Sequence, residues 1–189
     1  MPRVVVIAGP NGAGKSTLAA EIVGKVFGIA EFVNADTIAQ GLSGFSPAPV
    51  ALQAGRIMLG RLAALAAAGQ DFAFETTLAS RSFAPMLRAW QAQGYEFQLV
   101  FVWLSDAGLA EARVRQRVAR GGHDIPADVV RRRYERGLRN LFNLDLPIAD
   151  AWRVLDNSGP GQPALIAARH VNRPAEVLLT STWQNLQDK

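Results

Sequence analysis

An α/β fold, with a mainly parallel sheet of five strands between layers of helix, is predicted by the alternation of short apolar runs with longer helical stretches. Glycines close several of those stretches, notably Gly69 and Gly94, as helix C-caps do. A Gly-rich turn at residues 9–17 stands directly between the first apolar run and the first helical stretch. That order is expected where a strand delivers the chain to the N-terminus of a helix.

Element by element, Val4-Val5-Val6-Ile7-Ala8 reads as a buried strand, and residues 16–27 as the first helix. Residues 31–34 form the second strand, followed by a Gly-, Ser- and Pro-rich loop at 41–49 and a helix near 49–68. The third strand spans 72–75, a helix runs near 83–93, and the fourth strand spans 98–104. A long helical region covers 107–144, with Ser105 as its N-cap and Gly121-Gly122-His123 as a flexible joint. Pro126 suits the first turn of the helix beyond that joint. The fifth strand spans 152–155; a short β extension (164–171 and 176–179) and a helical turn near Trp183 complete the chain. With neither an internal repeat nor a second domain in view, residues 1–189 read as one domain.

Composition narrows the function classes. The chain has 189 residues, 49% of them hydrophobic, which suits a globular domain with a full core. No apolar run approaches the roughly 18 residues of a membrane span, so no membrane association is expected. Met1-Pro2-Arg3 leads straight into the first strand, and cysteine is absent; both fit a cytoplasmic protein. Two histidines, His123 and His170, cannot build a zinc site alone. The net charge is +4, and apart from Lys15, Lys25 and Lys189 every basic residue is arginine, the side chain suited to bidentate phosphate recognition.

The turn reads Gly9-Pro10-Asn11-Gly12-Ala13-Gly14-Lys15-Ser16-Thr17 and satisfies the G-x-x-x-x-G-K-[ST] pattern in the strand–loop–helix context the pattern requires. Glycines let successive backbone N–H groups converge on an anion, and the helix N-terminus adds partial positive charge. Lys15 is expected to reach the β- and γ-phosphates of ATP, and the Ser16 hydroxyl to ligate Mg²⁺. Gly9, Asn11, Gly12, Ala13, Gly14, Lys15, Ser16 and Thr17 form the expected nucleotide-binding set. The fold class is therefore a three-layer sandwich of the P-loop nucleoside-triphosphate-hydrolase type, kinase-like, plus the C-terminal β extension.

Ligands in such sheets sit beyond the carboxyl ends of the strands. Asp36 follows the second strand, where a carboxylate can accept a proton from an attacking hydroxyl or hold Mg²⁺ through water. It is also a residue type that caps a helix beginning at Thr37. Glu75, Thr76 and Thr77 end an apolar strand, and a charge there needs a partner or a ligand. Glu75 suits either hydrogen bonds to an acceptor's hydroxyls or the metal shell, with Thr77, Arg56 and Arg81 as further candidates on the acceptor side.

Arg113, Arg117 and Arg120 fall at i, i+4 and i+7 on one helix flank. Like charges at that spacing repel by roughly 0.2–0.5 kcal/mol per pair, so an anion should compensate them. Two helices joined by a glycine turn and carrying arginines follow the plan of a kinase lid, with Arg117 and Arg120 as catalytic candidates beside Lys15 and Asp36. A guanine-specifying N-K-x-D is absent, which argues against a GTPase.

The phosphate loop, Asn34-Ala35-Asp36, Phe74-Glu75-Thr76-Thr77-Leu78, and Arg117-Val118-Ala119-Arg120-Gly121-Gly122-His123 leading into Arg132-Arg133-Tyr134 together resemble the zeta-toxin family of P-loop kinases over roughly residues 3–158. The resemblance implies ATP-dependent phosphorylation of a hydroxyl, with UDP-N-acetylglucosamine as first candidate acceptor and an antitoxin protein as candidate partner. It places Asp36 on the family's general base, Glu75 on its substrate-contacting glutamate, and Arg117 and Arg120 among its phosphate-binding arginines. The chain lacks clear equivalents of the additional substrate-side segments carried by longer zeta toxins. Alternatives are a kinase acting on nucleic-acid ends or nucleosides, although sparse aromatic interleaving makes nucleic acid an unlikely ligand, and a nucleotide-gated toxin–antitoxin interaction module.

Overall fold

The computed structural model describes residues 1–44, 48–122 and 124–189. The strands are β1 (Arg3–Ala8), β2 (Glu31–Val33), β3 (Phe72–Thr76), β4 (Glu96–Trp103), β5 (Ala151–Asp156), β6 (Ala164–Arg169) and β7 (Glu176–Val177). The helices are α1 (Lys15–Glu21), α2 (Ala35–Leu42), α3 (Ala51–Ala67), α4 (Phe83–Ala92), α5 (Ala107–Ala119), α6 (Ala127–Asn140) and α7 (Thr180–Gln187). One sheet of seven strands, ordered β2-β3-β1-β4-β5-β6-β7, replaces the expected five. The two extra strands are the expected β extension, which joins the main sheet instead of standing apart: β6 pairs antiparallel with β5, and β7 with β6. β1 to β5 are parallel throughout.

Alternation along β1 sends side chains to opposite faces, and each face has its own helical cover. Val5 and Ile7 pack with Ala73, Val100, Ala19, Val23 and Phe27, so α1 and its π-helical continuation Ile22–Val26 cover one face. Val4 and Val6 face the larger cluster, which gathers Phe72, Phe74, Phe97, Leu99 and Phe101 with Leu62, Leu87, Val114 and Tyr134. That cover comes from α3, α4, α5 and α6. Phe72 meets Trp90 edge-on at 5.2 Å, an arrangement aromatic rings favour. The resulting three layers are those of a P-loop-type α/β fold.

Several expected boundaries move. Asn34, in extended backbone, caps α2 through its Oδ1, which accepts from the N–H groups of Asp36 (2.7 Å) and Thr37 (3.4 Å). The helix therefore begins at Ala35, and Asp36 lies inside its first turn rather than at its cap. Asp106, not Ser105, caps α5 by accepting from the Leu109 N–H at 2.8 Å. As expected, the region 107–144 holds two α-helices joined at a glycine turn, and a π-helical segment, Leu141–Asp145, continues the second. α5 closes in a Schellman arrangement, with Gly122 N–H donating to Arg117 and Gly121 N–H to Val118, a hydrogen-bonded turn where a flexible joint was expected. His123 and residues 45–47 of the expected 41–49 loop fall outside the described residues.

α6 is tied to the residue after β4 by Tyr134, whose buried hydroxyl donates to the Leu104 carbonyl at 2.8 Å. Burial pushes that phenol up to about 12. The expected terminal turn is a full helix, α7, whose Trp183 stacks on Trp152 at 5.7 Å and meets Phe142 edge-on at 5.5 Å. Among the described residues no helix is long and apolar enough to cross a membrane.

Candidate active site

The carboxyl ends of β1, β2 and β3 converge on one cavity of about 590 Å³, closed on its far side by α5. β1 delivers the phosphate loop. Its first residue, Gly9, has φ +142°, and a Cβ there would lie 2.2 Å from the Val102 carbonyl oxygen of β4, so only glycine passes this point. Asn11, Gly12, Gly14, Lys15, Ser16 and Thr17 line the cavity, whereas Gly9 and Ala13 are buried behind it. The loop ends at the N-terminus of α1, whose first N–H groups have no intrahelical partner and face whatever anion the loop holds.

Lys15 is only 6% exposed. Its ammonium donates to the Pro10 carbonyl at 2.9 Å and lies 3.6 Å from Glu75. Burial pulls its pKa below the usual lysine range, and the nearby carboxylates of Glu75 and Asp36 oppose that shift. A desolvated cation in that position gains from a phosphate beside it.

Glu75, at the end of β3 opposite Ile7 in register, is drawn to the phosphate loop. Its Oε2 accepts from Ser16 Oγ at 2.7 Å and from Asn34 Nδ2 at 2.9 Å. Asn34 thus caps α2 with its oxygen and holds Glu75 with its nitrogen. A hydroxyl and a carboxylate thus lie in contact beside the phosphate loop, hard oxygen donors that could hold a divalent cation, and Glu75 also lines the cavity. Asp36 lines the same cavity from α2.

α5 supplies the opposite wall. Arg113, Gln116, Arg117 and Arg120 line the cavity together with Gly121 and Gly122. The i, i+4, i+7 flank therefore faces the phosphate loop, and among the described residues the charged lining consists of Lys15 and three arginines against Asp36 and Glu75. Gln116 gave no sequence signal. Arg113 was visible through its spacing, and its guanidinium donates to the Ser158 carbonyl at 3.0 Å.

Three candidates are not brought to this cavity. Arg56 is exposed on α3, Arg81 is exposed before α4, and Thr77 sits beneath α6, its carbonyl against Gly137. A second cavity of about 350 Å³ lies along β2 and α2, lined by Phe32, Thr37, Ile38, Ile57 and Arg61 among others.

A protein of Haemophilus influenzae, described as uncharacterized, is 28% identical over 138 residues, covering 70% of this chain and 92% of the relative. Among solved structures, the AvrRxo1-ORF1:AvrRxo1-ORF2 complex, determined with sulphate ions and with ATP, superposes with a TM-score of 0.79 at 16% identity over 99% of this chain. This chain spans 64% of the length of that one. A structure from the PezAT chromosomal toxin–antitoxin system of Streptococcus pneumoniae gives a TM-score of 0.60 at 19% identity, covering 82% of this chain and 68% of that one. At these identities the superpositions show the fold alone. Residues 4–144, which carry every residue lining the cavity, match the family model described as AAA domain, and the chain belongs to that family.

Proposed function

We propose that this protein transfers the γ-phosphoryl group of ATP to the hydroxyl of a small molecule. The observation that carries this reading is the convergence of Asp36 and an arginine-bearing helix on the cavity formed by the phosphate loop. In the proposed reaction the acceptor oxygen attacks the γ-phosphorus, the bond to the bridging oxygen breaks, ADP leaves, and the acceptor's proton passes to the Asp36 carboxylate. Lys15, Arg117 and Arg120 hold the charge that develops on the transferring group. Ser16 and Glu75 would hold Mg²⁺, which neutralises phosphate charge when bound.

The zeta-toxin resemblance makes UDP-N-acetylglucosamine the first acceptor to try, and an antitoxin protein the candidate partner. Asp36→Asn tests the base assignment. Nucleotide affinity should stay within about twofold, while transfer falls about 10²–10⁴-fold. Transfer at the unaltered rate would remove Asp36 from the reaction.

A further inference from the structure

Asn157 follows β5, at the far end of the chain from the phosphate loop, and does not line the cavity. Its backbone N–H donates to the Trp103 carbonyl at the end of β4 (3.0 Å), so its position is set by the central sheet. Its side-chain Nδ2 donates to the carbonyl of Ala13, inside the phosphate loop, at 2.8 Å. The neighbouring Ser158 is equally tied: its hydroxyl accepts from the Ser105 N–H at 2.8 Å, and its carbonyl accepts from Arg113. One short loop therefore grips both the phosphate loop and α5.

The contact with Ala13 has a directional consequence. In a trans peptide the carbonyl and the following N–H point in opposite directions. With the Ala13 oxygen held by Asn157, the N–H of Gly14 points away from Asn157, which is not among the cavity's lining residues, while Gly14 itself is. Gly14 holds φ +83°, and a Cβ there would come within 2.9 Å of Asn157 Nδ2, so the amide and the glycine fit each other.

We propose that Asn157 is a positioning residue for the nucleotide: by holding the Ala13 carbonyl it aims the Gly14 N–H at a phosphate oxygen of the bound donor. This rests on the reading of the loop as a nucleotide site, but not on transfer to an acceptor. A protein that binds ADP through Gly14 and phosphorylates nothing would contradict the kinase reading alone.

Residue-resolved amide exchange, measured by NMR with and without saturating Mg²⁺ and ADP, tests it in the wild-type protein, Asn157→Ala and Asn157→Asp. In the wild type, ADP should slow exchange at Gly14 by at least about tenfold. In both variants the slowing at Gly14 should fall below about threefold while that at Thr17 persists, because only one peptide loses its restraint. Equal slowing of Gly14 in wild type and variant would overturn the proposal. So would loss of Gly14 and Thr17 protection together, which marks a general loosening of the loop. Should neither variant fold, the wild type still decides: bound ADP that leaves Gly14 exchange unchanged contradicts the assignment.

Discussion

Asp145, in the π-helical segment Leu141–Asp145 that follows α6, is a buried carboxyl group. It is 2% exposed, one of its carboxylate oxygens has no hydrogen-bond partner, and burial raises its pKa to about 7. An acid whose folded pKa lies above its unfolded value binds more protons when folded, so stability falls as pH rises between the two values. The window runs from about 4 to about 7, and the full shift corresponds to on the order of 4 kcal/mol. Asp145→Asn should flatten that part of the stability–pH profile and raise stability at pH 8, read by urea unfolding across pH. A profile of unchanged slope would show that Asp145 is not the titrating group. The residue lies outside the cavity, so nucleotide affinity should be unaffected.

At the scale of elements, the start of α2 decides where Asp36 lies relative to the cavity. Asn34 and Asp36 are both good capping types, and local sequence does not choose between them. The choice falls to Asn34 because its amide satisfies two demands at once, the α2 N–H groups and Glu75, which lies 41 residues away in sequence. Asn34→Ala removes the cap, at a cost of about 1 kcal/mol, and should lower the thermal midpoint by about 2–4 °C. Calorimetry checks it; an unchanged midpoint would mean that the cap and the Glu75 contact contribute nothing. The same limit on local reading put the α5 cap one residue early, at Ser105 instead of Asp106. The arginine flank of α5 was legible because helical spacing sets which side chains share a face. Arg56 and Arg81 were not, because spacing says nothing about how far an exposed helix or loop stands from a cavity.

At the scale of the molecule, the phosphate loop and the parallel sheet could be read from the chain because each is encoded by contiguous residues. The union of the β extension with the main sheet could not, since it depends on which edge strand lies free once β5 is in place. Nor could the Asn157–Ala13 contact, made between residues 144 apart in sequence. Sheet order nevertheless explains why these parts meet. β1 lies between β3 and β4, so the loop after it is flanked by Glu75 from one neighbour and by α5, which follows the other. On the proposed reading these parts form a donor site with the Asp36 carboxylate beside it, and the γ-phosphate leaves that site for an organic acceptor. The direct measurement follows γ-labelled ATP with the wild-type protein and Mg²⁺, in the presence of UDP-N-acetylglucosamine and then a panel of nucleotide sugars, nucleosides and small hydroxyl metabolites. The account predicts label in a phosphate ester of one acceptor, with ADP formed in equal amount; label released only as inorganic phosphate, whatever the acceptor, would contradict it.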